Sequence, residues 1–202
     1  MGERNPIDCT AFNGHRRIAS GNLLKVASKV KEVIDLDEQA SILIFNNGTS
    51  ELVEVDFRGS MQDVLERLKS ATEERTLAAN SSSDTDQRSP RGPGRPKLGV
   101  VSREVTLLPR HWDWLNRQPG GASVALRQLI EEARRINSDK DIVRQSQEVA
   151  YRFMSAMAGD FPGFEEATRA LFAGDYVRFN SLVESWAVDI RDHARKLAET
   201  AF

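Results

Sequence analysis

Apolar positions along this chain change period several times, and each change marks an element. Over Asn22–Asp35, Leu23, Leu24, Val26, Ala27, Val30, Val33 and Ile34 recur at helical spacing. Before it, "TAFNGHRRIAS" (Thr10–Ser20) reads as a strand or hairpin turning at Asn13-Gly14, a dipeptide favoured where φ must be positive. After it, "ASILIF" and "ELVEVDF" flank Asn46-Asn47-Gly48, a second hairpin signal. Val53, Val55 and Phe57 alternate there with Leu52, Glu54 and Asp56, so one face can be buried. Ser60 can cap a short helix carrying Val64, Leu65 and Leu68. The pattern predicts a small α/β module over residues 1–70, in the order β-α-β-β-α. About 60 residues is a marginal but foldable core.

Over residues 71–97 the periodicity disappears. "AANSSSDTDQRSPRGPGRPK" offers no bulky apolar side chain whose burial could offset the entropy of ordering it, and a disordered linker is expected. Residues 98–136 are different again. In "VSREVTLLP" Val101, Arg103, Val105 and Leu107 alternate with Ser102, Glu104, Thr106 and Leu108, the period of a strand. Pro109 suits the first turn of a helix that places Trp112 and Leu115 on one face. "QPGG" ends it, and Ala122 or Ser123 opens a second helix with Ala125, Leu126, Leu129, Ile130 and Ala133 on its apolar side. A lone strand leaves both edges unpaired, and so short a unit cannot close a core. It calls for a partner, most simply a second copy whose strand pairs antiparallel with the first.

Residues 137–202 predict helices. Ile142, Val143, Val149, Ala150, Phe153, Met154 and Met157 form one stripe, stopped by "GDFPG"; Phe164, Ala167 and Leu171 form another before Ala173-Gly174. Tyr176, Phe179, Leu182, Val183, Trp186, Ile190 and Leu197 run along a last segment, Asp175–Ala198. Such stripes are expected in a core or a dimer seam. The fold class predicted for the whole chain is α+β.

Charge sharpens the picture of the middle. The formal net charge is −2, yet residues 88–135 carry 10 basic and 4 acidic side chains, against 10 and 15 before them and 8 and 11 after. A cationic island between acidic flanks attracts polyanions.

The strand ending in Leu107-Leu108-Pro109, the helix, the Gly turn and the Ser-initiated helix together resemble a ribbon-helix-helix DNA-binding domain. The resemblance implies that two chains intertwine and that their paired strands enter the major groove. It would turn Ser102, Glu104 and Thr106 toward base edges and set Arg103 near the backbone. Gly121, Ala122 and Ser123 would supply amides to a phosphate. Glu104 departs from the basic or amide residues usual at the groove-facing positions; it can accept from cytosine N4 but repels phosphates. The preceding "RGPGRPKLG" resembles an AT-hook, with Gly94-Arg95-Pro96 as its core and Arg91 and Lys97 as flanks. Proline keeps such a backbone extended, glycine clears the floor of the minor groove, and arginine is drawn to its concentrated negative potential. The full arrangement also resembles a bacterial family of uncharacterised proteins, a resemblance that implies no activity.

Other classes find less to stand on. There is neither a Walker-type phosphate loop nor a G-x-S-x-G elbow, so no enzyme is expected. Cys9, the single cysteine, reads as a small buried apolar group in a strand. With three scattered histidines it gives no zinc spacing, and no cofactor is expected. His15, Arg16 and Arg17 could converge as an anion site near a turn, although an exposed basic hairpin explains them as well. His111 and His193 are expected at the surface. No apolar run approaches the roughly 20 residues of a membrane helix, and a cytoplasmic location is expected, on the nucleoid if the chain binds DNA. The reading is therefore a homodimeric DNA-binding regulator whose effector is unknown. Its alternative is a dimeric protein-interaction adaptor without a DNA role.

Overall fold

In the computed structural model, which describes residues 7–37, 39–81 and 103–202, with backbone alone over 72–81, the chain divides into two compact units. One comprises residues 1–79 together with 140–202; the other is the middle, residues 80–139. The class is α+β: a three-stranded antiparallel sheet with seven helices among the described residues.

The first unit is built around its shortest-range signal, the hairpin. Strands β1 (Asp8–Asn13) and β2 (Arg16–Asn22) pair antiparallel, and Gly14 takes the positive φ of +53° that the turn requires. Strand β3 (Ile42–Asn46) pairs on the other side of β1, with Ala11 opposite Ile44, giving the order β2-β1-β3. Being central, β1 is buried on both faces. Cys9 and Ala11 meet helix α1 (Leu23–Leu36) through Val26 and Val30, together with Ile44. The alternate residue Phe12 points the opposite way and joins Phe45 in a second core. α1 is capped by Asn22, whose side chain accepts from the Leu24 N–H at 2.8 Å.

The second hairpin does not form as the alternation predicts. The turn after Asn46 is present, with Ser50 at φ 51°, but the returning segment meets β3 only through the Phe45–Leu52 bridge and the bonds from Asn46 N–H to the Glu51 carbonyl and from Val53 N–H to the Ile44 carbonyl. Val53, Val55 and Phe57 are still half-buried against the α1 cluster. The carbonyls of Asp56 and Arg58 accept from the Arg67 guanidinium, so this edge is satisfied by a side chain where a strand was expected. The observed order is β-β-α-β-α. Helix α2 (Met61–Ser81) opens with a reciprocal cap, Ser60 N–H donating to Asp63 Oδ2 and Asp63 N–H to Ser60 Oγ. It runs past the expected boundary at residue 71, because "ATEERTLAA" is rich in strong helix formers; the rest of the expected linker lies outside the described residues.

The helices at the far end of the sequence cover the second face of this sheet. Their core is continuous with it: Phe12 and Phe45 pack with Ala150, Phe153, Met154, Leu171, Phe179, Val183, Trp186 and Ile190. The sheet and the C-terminal helices, separate along the chain, thus share one interior. The helix stripe at Phe164 becomes α5 (Phe164–Ala173), bounded by Gly163 and Gly174, both left-handed. The last stripe breaks into two helices, α6 (Tyr176–Val183) and α7 (Val188–Leu197). Trp186 sits in the break, donating its indole N–H to the Pro162 carbonyl at 3.0 Å.

The middle unit contains helix α3 (Pro109–Asn116) and the first part of α4 (Gly121–Met157). No break falls near Ile136. α4 is a single helix of 37 residues, and the C-terminal stripe at Ile142–Met157 continues it.

Candidate nucleic-acid interface

The segment before α3 sets the character of the middle unit. Arg103–Leu108 is neither helix nor hydrogen-bonded strand in the single chain, and Arg103, Glu104, Val105 and Thr106 are all exposed. None of Arg103–Leu107 makes a backbone hydrogen bond to another described residue, so the predicted ladder has no partner among the described residues. Leu108 is extended (φ −65°, ψ 149°), Pro109 starts α3, and the Leu108 carbonyl accepts from His111 N–H at 2.8 Å. Val101 and Ser102, and the hook residues Arg91, Gly94, Arg95, Pro96 and Lys97, lie outside the described residues.

The turn between α3 and α4 is made by two left-handed glycines, Gly120 at φ +84° and Gly121 at φ +76°. Gly121 donates its N–H to the Gln118 carbonyl at 2.9 Å. That amide is therefore already engaged in closing the turn. Ala122 and Ser123 follow in the first turn of α4, where backbone N–H groups have no acceptor inside the helix. Of the three amides predicted to hold a phosphate, these two lack an acceptor inside the helix.

Packing in this unit is thin. Leu115 and Ala125 are its buried apolar residues among those described, while Val105, Leu108, Trp112, Trp114, Leu129, Ile130 and Ile136 are exposed. The helix faces predicted at Trp112/Leu115 and at Ala125–Ala133 exist, but each is fully buried at one position only. Acidic partners are equally scarce. Arg103, Arg110, Arg117, Arg127, Arg134 and Arg135 are exposed, and among the described residues only Arg134 is ion-paired, with Glu131 at 3.2 Å. In the other unit, by contrast, Asp56 pairs Arg58 and Arg67, and Glu184 pairs Arg191 and Arg195.

The remaining candidates fall in the first unit, His111 apart. His15 is exposed, its ring edge-on to Phe161 at 4.8 Å, and Arg17 gives its backbone N–H to Asp189 Oδ2 at 2.9 Å. His111 is exposed on α3. Cys9 is fully buried, and burial, aided by Asp8, pushes its thiol up to about 11, which leaves it an inert thiol at neutral pH.

His193 corrects an expectation. It is 2 % exposed and packs against Phe12 and Phe153, with its Nε2 lacking a hydrogen-bond partner. Burial, with Lys196 and Arg17 adding to it, pushes the imidazole down to about 4, so it is neutral at pH 7. Spacing carries the signal for burial: His193 lies three residues after Ile190 and four before Leu197, on the same apolar stripe. It also lines a cavity with Asn47, Gln145, Lys196 and Thr200, residues from distant segments that no local pattern joins. No cluster suited to a metal ion occurs among the described residues, and no described helix is long and apolar enough to cross a membrane.

Taken together, the architecture defines an α+β protein with one well-packed unit and one thinly packed, cationic middle. The chain belongs to the family described as an uncharacterized protein conserved in bacteria (DUF2239), which it matches over residues 8–198. No curated protein and no solved structure matches it.

Proposed function

We propose that this protein is a homodimeric DNA-binding regulator, whose middle unit pairs with that of a second copy. In this reading Arg103–Leu107 zips onto its twin as a β-ribbon for the major groove, and Ser102, Glu104 and Thr106 face the bases. Ala122 and Ser123 cradle a phosphate at the start of α4. The Gly94-Arg95-Pro96 arm enters the neighbouring minor groove. Such a protein works on the nucleoid.

The observation that supports it most is the middle unit's unsatisfied state: seven large apolar side chains exposed, an unpaired backbone segment, and five arginines without an acidic partner among the described residues. Apolar surface without a core favours association, and arginines without acidic partners favour a polyanion. The two exposed tryptophans, Trp112 and Trp114, favour a second reading, a dimeric protein-interaction adaptor, because such rings are common interface anchors.

A mobility-shift titration with mixed genomic fragments at two salt concentrations separates these readings. A regulator binds, and more weakly at higher salt; replacing Arg95 and Lys97 with Ala flattens the salt dependence by about one to two units of slope. An adaptor retards no fragment at either salt.

A further inference from the structure

A cavity of about 250 Å³ opens in the first unit beside the Asn47-Gly48 turn, lined by α4 and α7. One part of its wall is apolar: Val149 is buried, and Leu197 is half-buried. Ile142, which also lines it, is 52 % exposed. The polar part is rich in donors and carries no carboxylate. Lys196 forms no ion pair with any described residue, and the side chains of Gln145 and Thr200 make no hydrogen bond to one. Asn47 Oδ1 accepts from the Thr10 hydroxyl at 2.6 Å, which leaves the amide nitrogen of Asn47 as a donor. His193 lines the cavity from the core and carries a buried, unpartnered Nε2.

These features select a guest by charge, size and polarity. A lone cation among amide and hydroxyl donors suits an anion with several acceptor lone pairs, which a carboxylate provides. The apolar wall suits a hydrocarbon body. The volume falls below the roughly 300–1,000 Å³ of pockets for drug-sized ligands, so the body is a single ring or a short chain. The neutral imidazole contributes no second charge.

We propose that this cavity binds a compact monocarboxylic acid, its carboxylate held at Lys196, Thr200 and Gln145 and its apolar body against Ile142, Val149 and Leu197. The proposal does not depend on DNA binding.

The test titrates benzoate, phenylacetate and hexanoate into the full chain and follows ¹H–¹⁵N spectra, with benzamide and acetate as comparators. At least one of the three acids should shift Gly48, Gln145 and Thr200 saturably. Benzamide, without the charge, and acetate, without the body, should bind more weakly. Lys196→Gln and Thr200→Val alter exposed positions, so the far-UV spectrum should be unchanged. Lys196→Gln should weaken the acid about tenfold, the scale of one charge-assisted hydrogen bond. Absence of shifts at these positions with all three acids would overturn the proposal. So would equal binding of benzamide, or an undiminished affinity in both variants.

Discussion

The imidazole of His193 meets the ring of Phe153 edge-on, with centroids 4.6 Å apart and planes at 68°. Phe12 flanks the same imidazole at 5.4 Å, so strand β1, helix α4 and helix α7 meet around one titratable group. The charged groups that bear on it are Lys196 from α7 and Arg17 from β2, both cations. Nothing there welcomes a proton.

Acid should therefore loosen this unit early. The unfolded imidazole takes up a proton near its ordinary 6.5, while the folded one resists until about 4. Between those values the unfolded state binds more protons, so stability is complete above 6.5 and falls as pH drops toward 4. The loss is on the order of 3 kcal/mol. Carboxylates such as Glu184, held below their usual range by Arg195, respond at lower pH. Urea unfolding followed through pH should show the drop, and His193→Phe should flatten it while preserving the ring packing. A native protein whose midpoint is constant over that window contradicts this.

Dimerisation should reside in the middle unit. Leu129 and Ile130 are 45 % and 54 % exposed, and replacing both with Asp places charge on the surface that the proposed twin would cover. Sedimentation velocity should then show a monomer where the unaltered chain shows a dimer. The far-UV spectrum and the buried Trp186 emission should persist, because that tryptophan belongs to the other unit's core. A dimer that survives the double substitution places the interface elsewhere.

Base reading by the proposed ribbon should depend on Thr106. Thr106→Ala is expected to change which fragments are retained, at a cost of about 1–3 kcal/mol for the preferred site, with little effect on salt dependence. Selection from a random duplex pool, sequenced for both proteins, checks this. Identical selected sets remove Thr106 from the groove.

Two glycines should differ in what they tolerate. Gly174 has φ +71° with open space where an added methyl would sit, whereas a Cβ on Gly120, at φ +84°, would lie 3.0 Å from Val124 Cβ. Gly174→Ala should cost about 1 kcal/mol through backbone strain alone. Gly120→Ala adds a collision inside the α3–α4 turn and should cost more. Hydrogen exchange at the start of α4 for Gly120, and urea unfolding for Gly174, provide the comparison.

Much of the fold was legible where periodicity and local chemistry agreed. Asn13-Gly14 marked the first hairpin, Ser60 capped its helix, and Gly163 and Gly174 bounded α5. Failures came where tertiary contacts decided. The alternation of Val53, Val55 and Phe57 is real in burial, yet Arg67, nine or more residues later, satisfies carbonyls that a strand would have used. The long stripe of Asp175–Ala198 breaks where Trp186 reaches Pro162. The cavity was invisible for a related reason: Asn47, Gln145 and Thr200 become neighbours only after folding.

The shared interior has a consequence for how the protein is made. Phe12 and Phe45 leave the ribosome early, but Phe153 and Ile190, which cover them, are the products of much later codons. The sheet must wait, its second face bare, while the whole middle of the chain is translated. Contacts so distant in sequence slow folding and leave apolar surface open to misassociation. A truncated message would thus yield a sheet without its roof, and expression of residues 1–70 alone should give an aggregating fragment.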